Sequence, residues 1–280
     1  MAILYIVATP IGNLKDITLR ALETLAAVDI IAAEDTRVAK KLLTAHGINK
    51  PLLSYHQHNA AQRDSEILSK LNAGQDIALV TDAGTPLISD PGYSLVNLCR
   101  TNGFDVTPIP GVSALITALS VNEFNAGRFF FEGFLPPKKS ARIQRLEKLM
   151  LLDCAVVLYE AKHRVIECLE DIENTFGSDR KIMIARELTK LHEQIVSGTL
   201  KQLIEKFRDS TIPCKGEYVI LLQGDIGFAS EQVEERKIRV LFEKVAPVLT
   251  HRDAVELGLK LSSLQKNALY TLAKEFYEHK

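Results

Sequence analysis

Short apolar runs alternate with amphipathic stretches through the first 120 residues of the chain. The run Ile77–Val80 is apolar or small at every position, which is typical of a strand buried on both faces of a parallel sheet. Stretches with helical spacing of apolar residues lie between such runs. We expect strands at residues 2–8, 29–33, 52–55, 77–80 and 105–109, and helices at 18–28, from about 38, up to about 71, at 93–101 and from about 114. This alternation predicts a parallel α/β domain over residues 1–120.

The same alternation starts again after residues 122–127. Here the pattern predicts strands at residues 129–131, 155–159, 181–185, 193–197 and 218–222, and helices at 141–151, 164–175 and 200–207. A second α/β domain over residues 121–225 follows from it. We expect the aromatic run Phe129, Phe130 and Phe131 to pack in a core or an interface rather than to stack on nucleic acid bases.

The last part of the chain is helical in its pattern. Residues 223–235 are polar, as in a linker, and are followed by a predicted helix at 237–249 and two shorter helices within 250–276 around residues 258–263. This indicates a helical module over residues 236–280, with a helix-turn-helix as one possibility. Its basic residues would then contact phosphates, but ordinary solvated helix faces are favoured because acidic residues nearly offset the charge. The basic residues are Arg252, Lys260, Lys266 and Lys274, and the acidic ones are Asp253, Glu256, Glu275 and Glu278.

Composition narrows the classes of function only slightly. The 280 residues are 46% hydrophobic and carry a formal net charge of -1, so a polyanionic partner would need a local basic patch. The four cysteines are scattered, without the spacing of a zinc or redox motif, which fits a reducing compartment. The apolar start lacks a basic leader and is too short to span a bilayer. We therefore expect a cytoplasmic protein with no membrane partner.

The loop at residues 81–91 carries the strongest chemical signal. It follows the strand Ile77–Val80 at the carboxyl edge of the predicted sheet, where α/β proteins bind ligands. Gly84 permits backbone angles that side chains forbid, and the flanking prolines stiffen the loop. Three polar side chains accompany the glycines: Asp82, Thr85 and Asp90. A binding loop is favoured over a simple turn.

Other polar clusters admit more than one interpretation. Asp35 and Arg37 follow the second strand, where Asp35 is a candidate for a functional site and equally for a helix cap. His56 and His58 lack a third ligand nearby, so we expect polar loop residues rather than a metal site. The first strand is followed by a single glycine, Gly12, which disfavours a dinucleotide site. Residues 110–114 form a second turn of the ligand-binding type.

Seven segments occur together in a specific order. They are TPIGNLKDIT (9–18), AEDTR (33–37), SYHQHN (54–59), VTDAGTPLISDPG (80–92), PGVSAL (110–115), LYEAKHR (158–164) and ARELTKLHEQIVSG (185–198). Over about the whole chain this set resembles the bacterial 16S ribosomal RNA (cytidine-2'-O)-methyltransferase I family of the tetrapyrrole methylase superfamily. The first loop departs from the glycine-rich loop of the tetrapyrrole enzymes and matches the ribosomal RNA branch. A tetrapyrrole or other small-molecule acceptor, and a non-catalytic RNA-binding assembly factor, stay open as alternatives.

The resemblance implies a tetrapyrrole methylase-like α/β fold, in which two α/β domains hold S-adenosylmethionine (SAM) in the cleft between them and a small helical module follows. It also implies transfer of a methyl group to a cytidine ribose of 16S rRNA in the 30S subunit, a homodimer, and no metal. By the motif positions, the backbone of residues 216–218 and the following side chains would bind the cofactor: Ile11, Ala83, Gly84, Thr85, Ile88, Ser113, Ala114, Tyr159, Glu160 and Leu188. For catalysis we expect Asp35 to accept the proton of the ribose hydroxyl and Arg37 to grip a phosphate.

Overall fold

The computed structural model of the protein describes residues 2–224 and 231–277. Within these ranges the chain forms two five-stranded sheets and a C-terminal group of helices. Residues 225–230, which belong to the expected linker, and Glu278 lie outside the described residues. No described helix has both the length and the apolar character needed to cross a lipid bilayer.

The first sheet is entirely parallel, as predicted, with strand order β3-β2-β4-β1-β5. Its strands are β1 (Ile3–Val7), β2 (Ile30–Ala33), β3 (Leu52–Ser54), β4 (Ile77–Val80) and β5 (Asp105–Ile109). The helices between and after them are α1 (Leu19–Ala27), α2 (Thr36–Ala45), α3 (Ala60–Asn72), α4 (Tyr93–Thr101) and α5 (Ala114–Ser120). Because parallel strands end at one edge, the loops after β1, β2 and β4 lie side by side.

The continuous apolar sequence of the central strand β4 follows from its burial on both faces of the sheet. Ile77 and Leu79 pack on one face of the sheet, in the core that α3 and α4 complete. Ala78 and Val80 pack on the other face, against α1 and α2. Both faces are covered by helices, so no position of the strand is available to a polar side chain.

The second sheet has the order β6-β7-β10-β8-β9, with β6 and β7 parallel and the other neighbours antiparallel. Its strands are β6 (Phe129–Phe134), β7 (Ala155–Ala161), β8 (Lys181–Arg186), β9 (Gln194–Thr199) and β10 (Glu217–Leu222), with helices α6 (Lys139–Leu149), α7 (Val165–Phe176) and α8 (Leu200–Arg208). Strand β6 continues to Phe134, beyond the predicted end at Phe131, through an irregularity in register at Gly133, whose φ is 72°.

The two faces of the second sheet have different partners. One face packs against α6, α7 and α8, between which the fully buried Arg142 is paired with Asp171 at 2.6 Å. The other face packs against the first unit, where Leu115 and Ala118 of α5 join the same core as residues of the second sheet. This packing brings the carboxyl edge of the first sheet next to the second sheet.

The C-terminal helices form their own small core. They are α9 (Glu231–Val245), α10 (His251–Leu261) and α11 (Lys266–Tyr277). The sequence predicted the first helix at 237–249, and it runs from Glu231 to Val245. The sequence predicted a break around 258–263, and the break lies at residues 262–265. Gly258 lies inside α10. A Cβ there would lie 3.0 Å from Leu269 Cδ2 and 3.2 Å from Phe242 Cζ, so the neighbouring helices pack closely against this position. Glycine therefore serves close helix packing at this position rather than a turn.

Candidate active site

A cavity of about 360 Å³ lies between the carboxyl edge of the first sheet and the second sheet. This volume is within the range of about 300–1,000 Å³ that is usual for small-molecule sites. Its walls include all ten residues that the motif positions predicted for a cofactor, and they add acidic and basic side chains. The lining residues are Ile11, Glu34, Asp82, Ala83, Gly84, Thr85, Ile88, Ser89, Asp90, Ser113, Ala114, Phe134, Tyr159, Glu160, Ala161, Ala185, Leu188, Lys190, Glu217, Tyr218 and Val219.

The loop after β4 forms one wall and is fixed at both ends. Gly84 exchanges backbone hydrogen bonds with Thr9 in the loop after β1, and its φ of 83° belongs to the left-handed region. At the other end Gly92 has a φ of 134°, and a Cβ there would lie 2.8 Å from Leu79 Cδ2. Leu87 and Ser89 also adopt positive φ, at 73° and 68°, which side chains disfavour. The loop backbone is therefore held close to the cavity in a strained conformation.

The second sheet supplies an aromatic wall. The Tyr159 hydroxyl accepts a hydrogen bond from the backbone N–H of Leu115 at 3.0 Å, in the first turn of α5. This bond satisfies one of the donors that a helix leaves free at its N-terminus. The Tyr159 ring packs edge-on against Phe131 and Phe134, with centroids 4.9 and 5.8 Å apart, and burial raises the pKa of its hydroxyl. Tyr159 thus joins the two units at the cavity.

Glu160, the next residue of β7, is almost completely buried. Its Oε1 accepts hydrogen bonds from Arg164 Nε at 2.6 Å and from the Ala161 backbone N–H at 2.7 Å. Burial, together with the nearby Glu160 charge, raises the pKa of the Cys168 thiol. The carboxylate is therefore fixed by protein groups on one side, while the residue also forms part of the cavity wall.

A loop from the second unit closes the cavity against the first. The Asn13 backbone N–H donates to Thr189 Oγ1 at 3.2 Å. Beside it, Lys190 Nζ lies 2.9 Å from Glu187 and 2.7 Å from Glu217. Sequence reasoning did not single out Lys190 or Glu217, because their pairing joins β10 to the loop after β8, which no local pattern shows.

Three carboxylates lie on the side of the cavity formed by the first sheet: Glu34, Asp82 and Asp90. Asp82 Oδ1 accepts a hydrogen bond from the Asp35 backbone N–H at 2.9 Å, so it braces the loop after β2. Burial and the neighbouring Asp82 charge raise the pKa of Glu34. Burial and the charges of Glu34 and Asp82 raise the pKa of Asp90 from 3.8 to about 6. The sequence indicated both loops by their position after β2 and β4. Glu34 belongs to the polar cluster at the end of β2 that was a site candidate, although it was not among the predicted site residues.

Asp35 and Arg37 lie beside the cavity and are not among its lining residues. Asp35 caps α2, because its Oδ1 accepts from the Arg37 backbone N–H at 2.8 Å, and its Oδ2 pairs with Arg37 Nη2 at 2.7 Å. These hydrogen bonds lower the pKa of Asp35 to about 2. The Arg37 side chain is 86% exposed. Asp35 therefore caps α2, and its position beside the cavity also leaves room for a functional role.

The histidines of the SYHQHN segment do not form part of a metal cluster. His56 and His58 contact each other, with ring centroids 6.0 Å apart. In the described part of the chain, no group of three or more His, Cys, Asp and Glu residues is arranged to hold a metal ion.

Comparison with known proteins identifies the family of the chain. Residues 3–204 match the family model of the Tetrapyrrole (Corrin/Porphyrin) Methylases. The chain is 45% identical over 269 residues to the ribosomal RNA small subunit methyltransferase I of Haemophilus influenzae, covering 96% of this chain and 95% of the relative. The protein of the same name from Synechocystis is 46% identical over 276 residues, covering 98% of each chain.

Solved structures agree on the fold. The chain superposes on cobalt precorrin-4 methyltransferase, a cobalamin biosynthetic enzyme, with a TM-score of 0.61 at 19% identity, covering 79% of this chain and 94% of that one. Uroporphyrin-III-C-methyltransferase from Thermus thermophilus gives a TM-score of 0.56 at 16% identity, covering 80% and 95%. At these identities the likeness shows the fold alone.

The expected fold class and the resemblance drawn from the seven motifs are both confirmed. The chain is a methyltransferase, and its reaction requires a methyl donor. It belongs to the tetrapyrrole (corrin/porphyrin) methylase family and, within it, to the ribosomal RNA small subunit methyltransferase I family.

Proposed function

We propose that the protein transfers the methyl group of SAM to the ribose 2'-hydroxyl of a cytidine in the 16S rRNA of the small ribosomal subunit. The observation that carries this proposal is identity of 45–46% over almost the whole chain to methyltransferases named for that RNA. Residues 1–120 and 121–225 act as two domains around the cavity, and residues 236–280 form the appended helical module.

The cavity fits SAM in its chemistry. Ile11, Ala185 and Leu188 give apolar surface for an adenine ring, and the strained loop at Gly84 offers backbone groups at close range. When bound, SAM supplies an electrophilic methyl group. We assign its binding to Ile11, Ala83, Gly84, Thr85, Ile88, Ser113, Ala114, Tyr159, Glu160 and Leu188.

The chain contributes to the reaction mainly by placing the hydroxyl in line with the methyl group in a site with little water. The Tyr159–Leu115 bond and the contact of Asn13 with Thr189 hold the two units in a fixed relation around that site. A carboxylate at the rim of the first sheet then takes the hydroxyl proton, a form of help worth about 10²–10⁴-fold in rate. No step in this scheme calls for a metal.

The outer face of α2 is the surface that we assign to the RNA. Residues 36–50 contain Arg37, Lys40, Lys41 and Lys50 and no acidic residue, in a chain whose charges are otherwise balanced. Arg37, Lys40 and Lys41 are exposed and lie on one side of the helix, since they are three and four positions apart. Helix α2 starts beside the cavity, so phosphates bound there flank a nucleotide that enters it. This surface would supply the local basic patch that a polyanionic partner needs.

The roles predicted from the sequence, proton acceptor for Asp35 and phosphate anchor for Arg37, stay predictions. Two variants test them, Asp35→Asn and Arg37→Ala, with SAM affinity measured for both. A near-normal single-turnover rate of Asp35→Asn on saturating subunits excludes Asp35 as the proton acceptor. Unchanged subunit binding and salt dependence in Arg37→Ala exclude Arg37 as a phosphate anchor.

We propose that the protein is a cytoplasmic homodimer that acts on assembled small subunits. The exposed aromatic side chains Phe129, Phe130 and Phe134 of β6 provide apolar surface for pairing two chains, at 41%, 37% and 53% exposure. Light scattering at micromolar concentration tests the dimer, and a monomeric mass contradicts it.

The acceptor is tested by transfer of labelled methyl groups from SAM. Purified protein should label 30S subunits and leave a porphyrin precursor unlabelled, and a strain without the gene should lack one 2'-O-methylated cytidine in its 16S rRNA. Label in the porphyrin precursor would favour the small-molecule alternative, which the corrinoid and porphyrin enzymes of the same fold suggest. Binding of subunits without any transfer would favour a non-catalytic assembly factor.

A further inference from the structure

Asp90 lies in the loop after β4, on the wall of the cavity between the two units. It lines the cavity, and its charge interacts with Glu34 and Asp82 of the first unit. Tyr159, across the cavity in β7, also feels the charge of Asp90. Asp90 is therefore placed between the wall formed by the first sheet and the aromatic wall of the second.

The backbone around Asp90 is fixed rather than free. Ser89 before it has a φ of 68°, and Gly92 two residues later has a φ of 134°. Gly92 also packs closely on Leu79 of β4, where even a Cβ would not fit without a shift. Non-glycine residues in this conformation cost about 1–3 kcal/mol each, and such strain is found where a site must hold one geometry.

Asp90 and Asp35 differ in the hydrogen bonds and ion pairs that their carboxylates form with other protein groups. Asp35 accepts hydrogen bonds from the Arg37 side chain through both oxygens and from the Arg37 backbone N–H. A carboxylate with an arginine partner and a low pKa is a weak proton acceptor. Asp90 has a side-chain hydrogen bond with Thr81, which lowers its pKa, but within the described residues it forms no ion pair, and its carboxyl faces the like charges of Glu34 and Asp82. Its pKa of about 6 is closer to the working pH of a general base.

We propose that Asp90 is the catalytic residue that accepts the proton of the ribose 2'-hydroxyl during methyl transfer, with Glu34 as the residue that tunes it. This inference rests on the proposed function. As the bond between the hydroxyl oxygen and the methyl carbon forms, the bond between that carbon and sulfur breaks and its electron pair stays on sulfur, which becomes neutral. The hydroxyl proton passes to the Asp90 carboxylate and afterwards to water.

A general base at Asp90 has a measurable effect on the pH dependence of the reaction rate. A general base acts in its ionised form, so the rate should rise with pH and reach half its plateau near pH 6, where Asp90 ionises. The charged and titratable groups that face Asp90 are Glu34 after β2, Asp82 after β4 and Tyr159 in β7. Removing the Glu34 charge in Glu34→Gln should ease ionisation of Asp90 and move the midpoint to lower pH.

The experiment measures single-turnover methylation of 30S subunits with saturating SAM and subunits, from pH 5 to 8. Asp90→Asn should lose about 10²–10⁴-fold in rate and keep its affinity for SAM and for subunits, and Asp90→Glu should recover part of the rate. Asp35→Asn is the comparison, because it removes the other carboxylate considered for proton transfer: a larger loss of rate in Asp35→Asn than in Asp90→Asn would return the role to Asp35. Glu34→Gln should keep a similar plateau with its midpoint displaced to lower pH.

Several outcomes would overturn the inference. A rate within about threefold of the parent for Asp90→Asn excludes a proton acceptor at this position. Loss of SAM affinity in Asp90→Asn places the residue in the cofactor site instead. An unchanged midpoint of the pH–rate profile in Glu34→Gln contradicts the effect of Glu34 on the ionisation of Asp90. Failure of the proposed function is recognised separately, since the parent protein would then transfer no label to 30S subunits at any pH.

Discussion

The backbones of Thr9 and Gly84 exchange two hydrogen bonds, with N···O distances of 2.9 and 3.0 Å. These bonds form an isolated antiparallel bridge between two loops of an otherwise parallel sheet. They hold the loop after β4 against the loop after β1, and Ile11 lies directly opposite, since a Cβ on Gly84 would be 3.6 Å from Ile11 Cγ2. The position of the cavity wall therefore depends on a backbone conformation that only glycine adopts without strain.

Gly84→Val should abolish SAM binding in isothermal titration calorimetry. A branched residue at a φ of 83° costs about 1–2 kcal/mol in backbone strain, and its side chain projects from the loop toward Ile11. Gly74→Val is the matched control, because Gly74 has a φ of 85° and a Cβ there would meet no atom within 4 Å. The control should lose similar stability and keep its SAM affinity. Normal binding by Gly84→Val would show that the cofactor lies elsewhere.

Tyr159→Phe should weaken SAM binding severalfold and destabilise the protein. Its hydroxyl is the acceptor for the Leu115 N–H, and leaving such a partly buried donor unpaired costs about 1–3 kcal/mol. Tyr55→Phe is the comparison, since the Tyr55 hydroxyl donates to Asp64 at 2.8 Å in the core of the first unit. Both variants should unfold at lower denaturant concentration. Only Tyr159→Phe should change the SAM affinity, and equal affinities in the two variants would contradict a role of Tyr159 in joining the units at the cavity.

Sequence reasoning located the first sheet well because its strands are buried on both faces. Ile77–Val80, Tyr93–Thr101 and Asp105–Ile109 have the predicted bounds. Where tertiary packing decides the conformation, local pattern was insufficient. Strand β6 extends to Phe134 through Gly133, and a Cβ added at Gly133 would lie only 2.8 Å from Ser89 Oγ of the first unit. The use of Gly258 for helix packing likewise depends on Leu269 and Phe242, which lie on other helices.

The candidate site divides in the same way. Motif positions placed ten residues around the cavity. Those of the first unit follow strands whose ends converge at one edge of the sheet, whereas Tyr159 and Glu160 lie inside β7 of the second sheet. The same motifs gave no information on charge environment. Asp35 and Asp90 both follow strands, yet one is paired with Arg37 and the other lies near Glu34, so their pKa values move in opposite directions. The Asp35–Arg37 pair is local in the sequence, whereas the raised pKa of Asp90 comes from burial and from the charges of Glu34 and Asp82, which folding brings near it.

Asp90→Asn and Asp35→Asn should change stability in opposite directions at pH 7.5. Folding raises the pKa of Asp90 from 3.8 to about 6, so stability falls as pH rises between these values, and the cost is fully present above pH 6. The difference corresponds to at most about 3 kcal/mol, which solvent screening of a half-buried group reduces to about 1 kcal/mol. Asp90→Asn should therefore be more stable than the parent at pH 7.5, and the gain should shrink toward pH 4.

For Asp35 the sign is reversed. Folding lowers its pKa from 3.8 to about 2, so its stabilising effect is present above pH 3.8 and is lost as pH falls toward 2. Asp35→Asn should consequently lower the midpoint of urea unfolding at pH 7.5 through loss of the ion pair with Arg37, since asparagine caps a helix about as well as aspartate. Unfolding curves of both variants at pH 7.5 and 4.5 check the pair of predictions. A destabilised Asp90→Asn at pH 7.5 would contradict the burial of an unfavourable charge at that position.

Binding of small subunits should depend on the outer face of α2 more than on the C-terminal helices. Lys40 and Lys41 are exposed on a helix segment without acidic residues, and removing one lysine–phosphate interaction reduces the slope of log affinity against log salt by about 1. The double variant Lys40→Ala with Lys41→Ala should therefore bind subunits more weakly, with a slope smaller by about 2, and keep its affinity for SAM. The control is Lys260→Ala with Lys266→Ala, two lysines in α10 and α11, which removes the same charge from the C-terminal module. Filter binding at several salt concentrations measures both slopes, and a larger decrease in the control would assign the RNA to the helical module instead of α2.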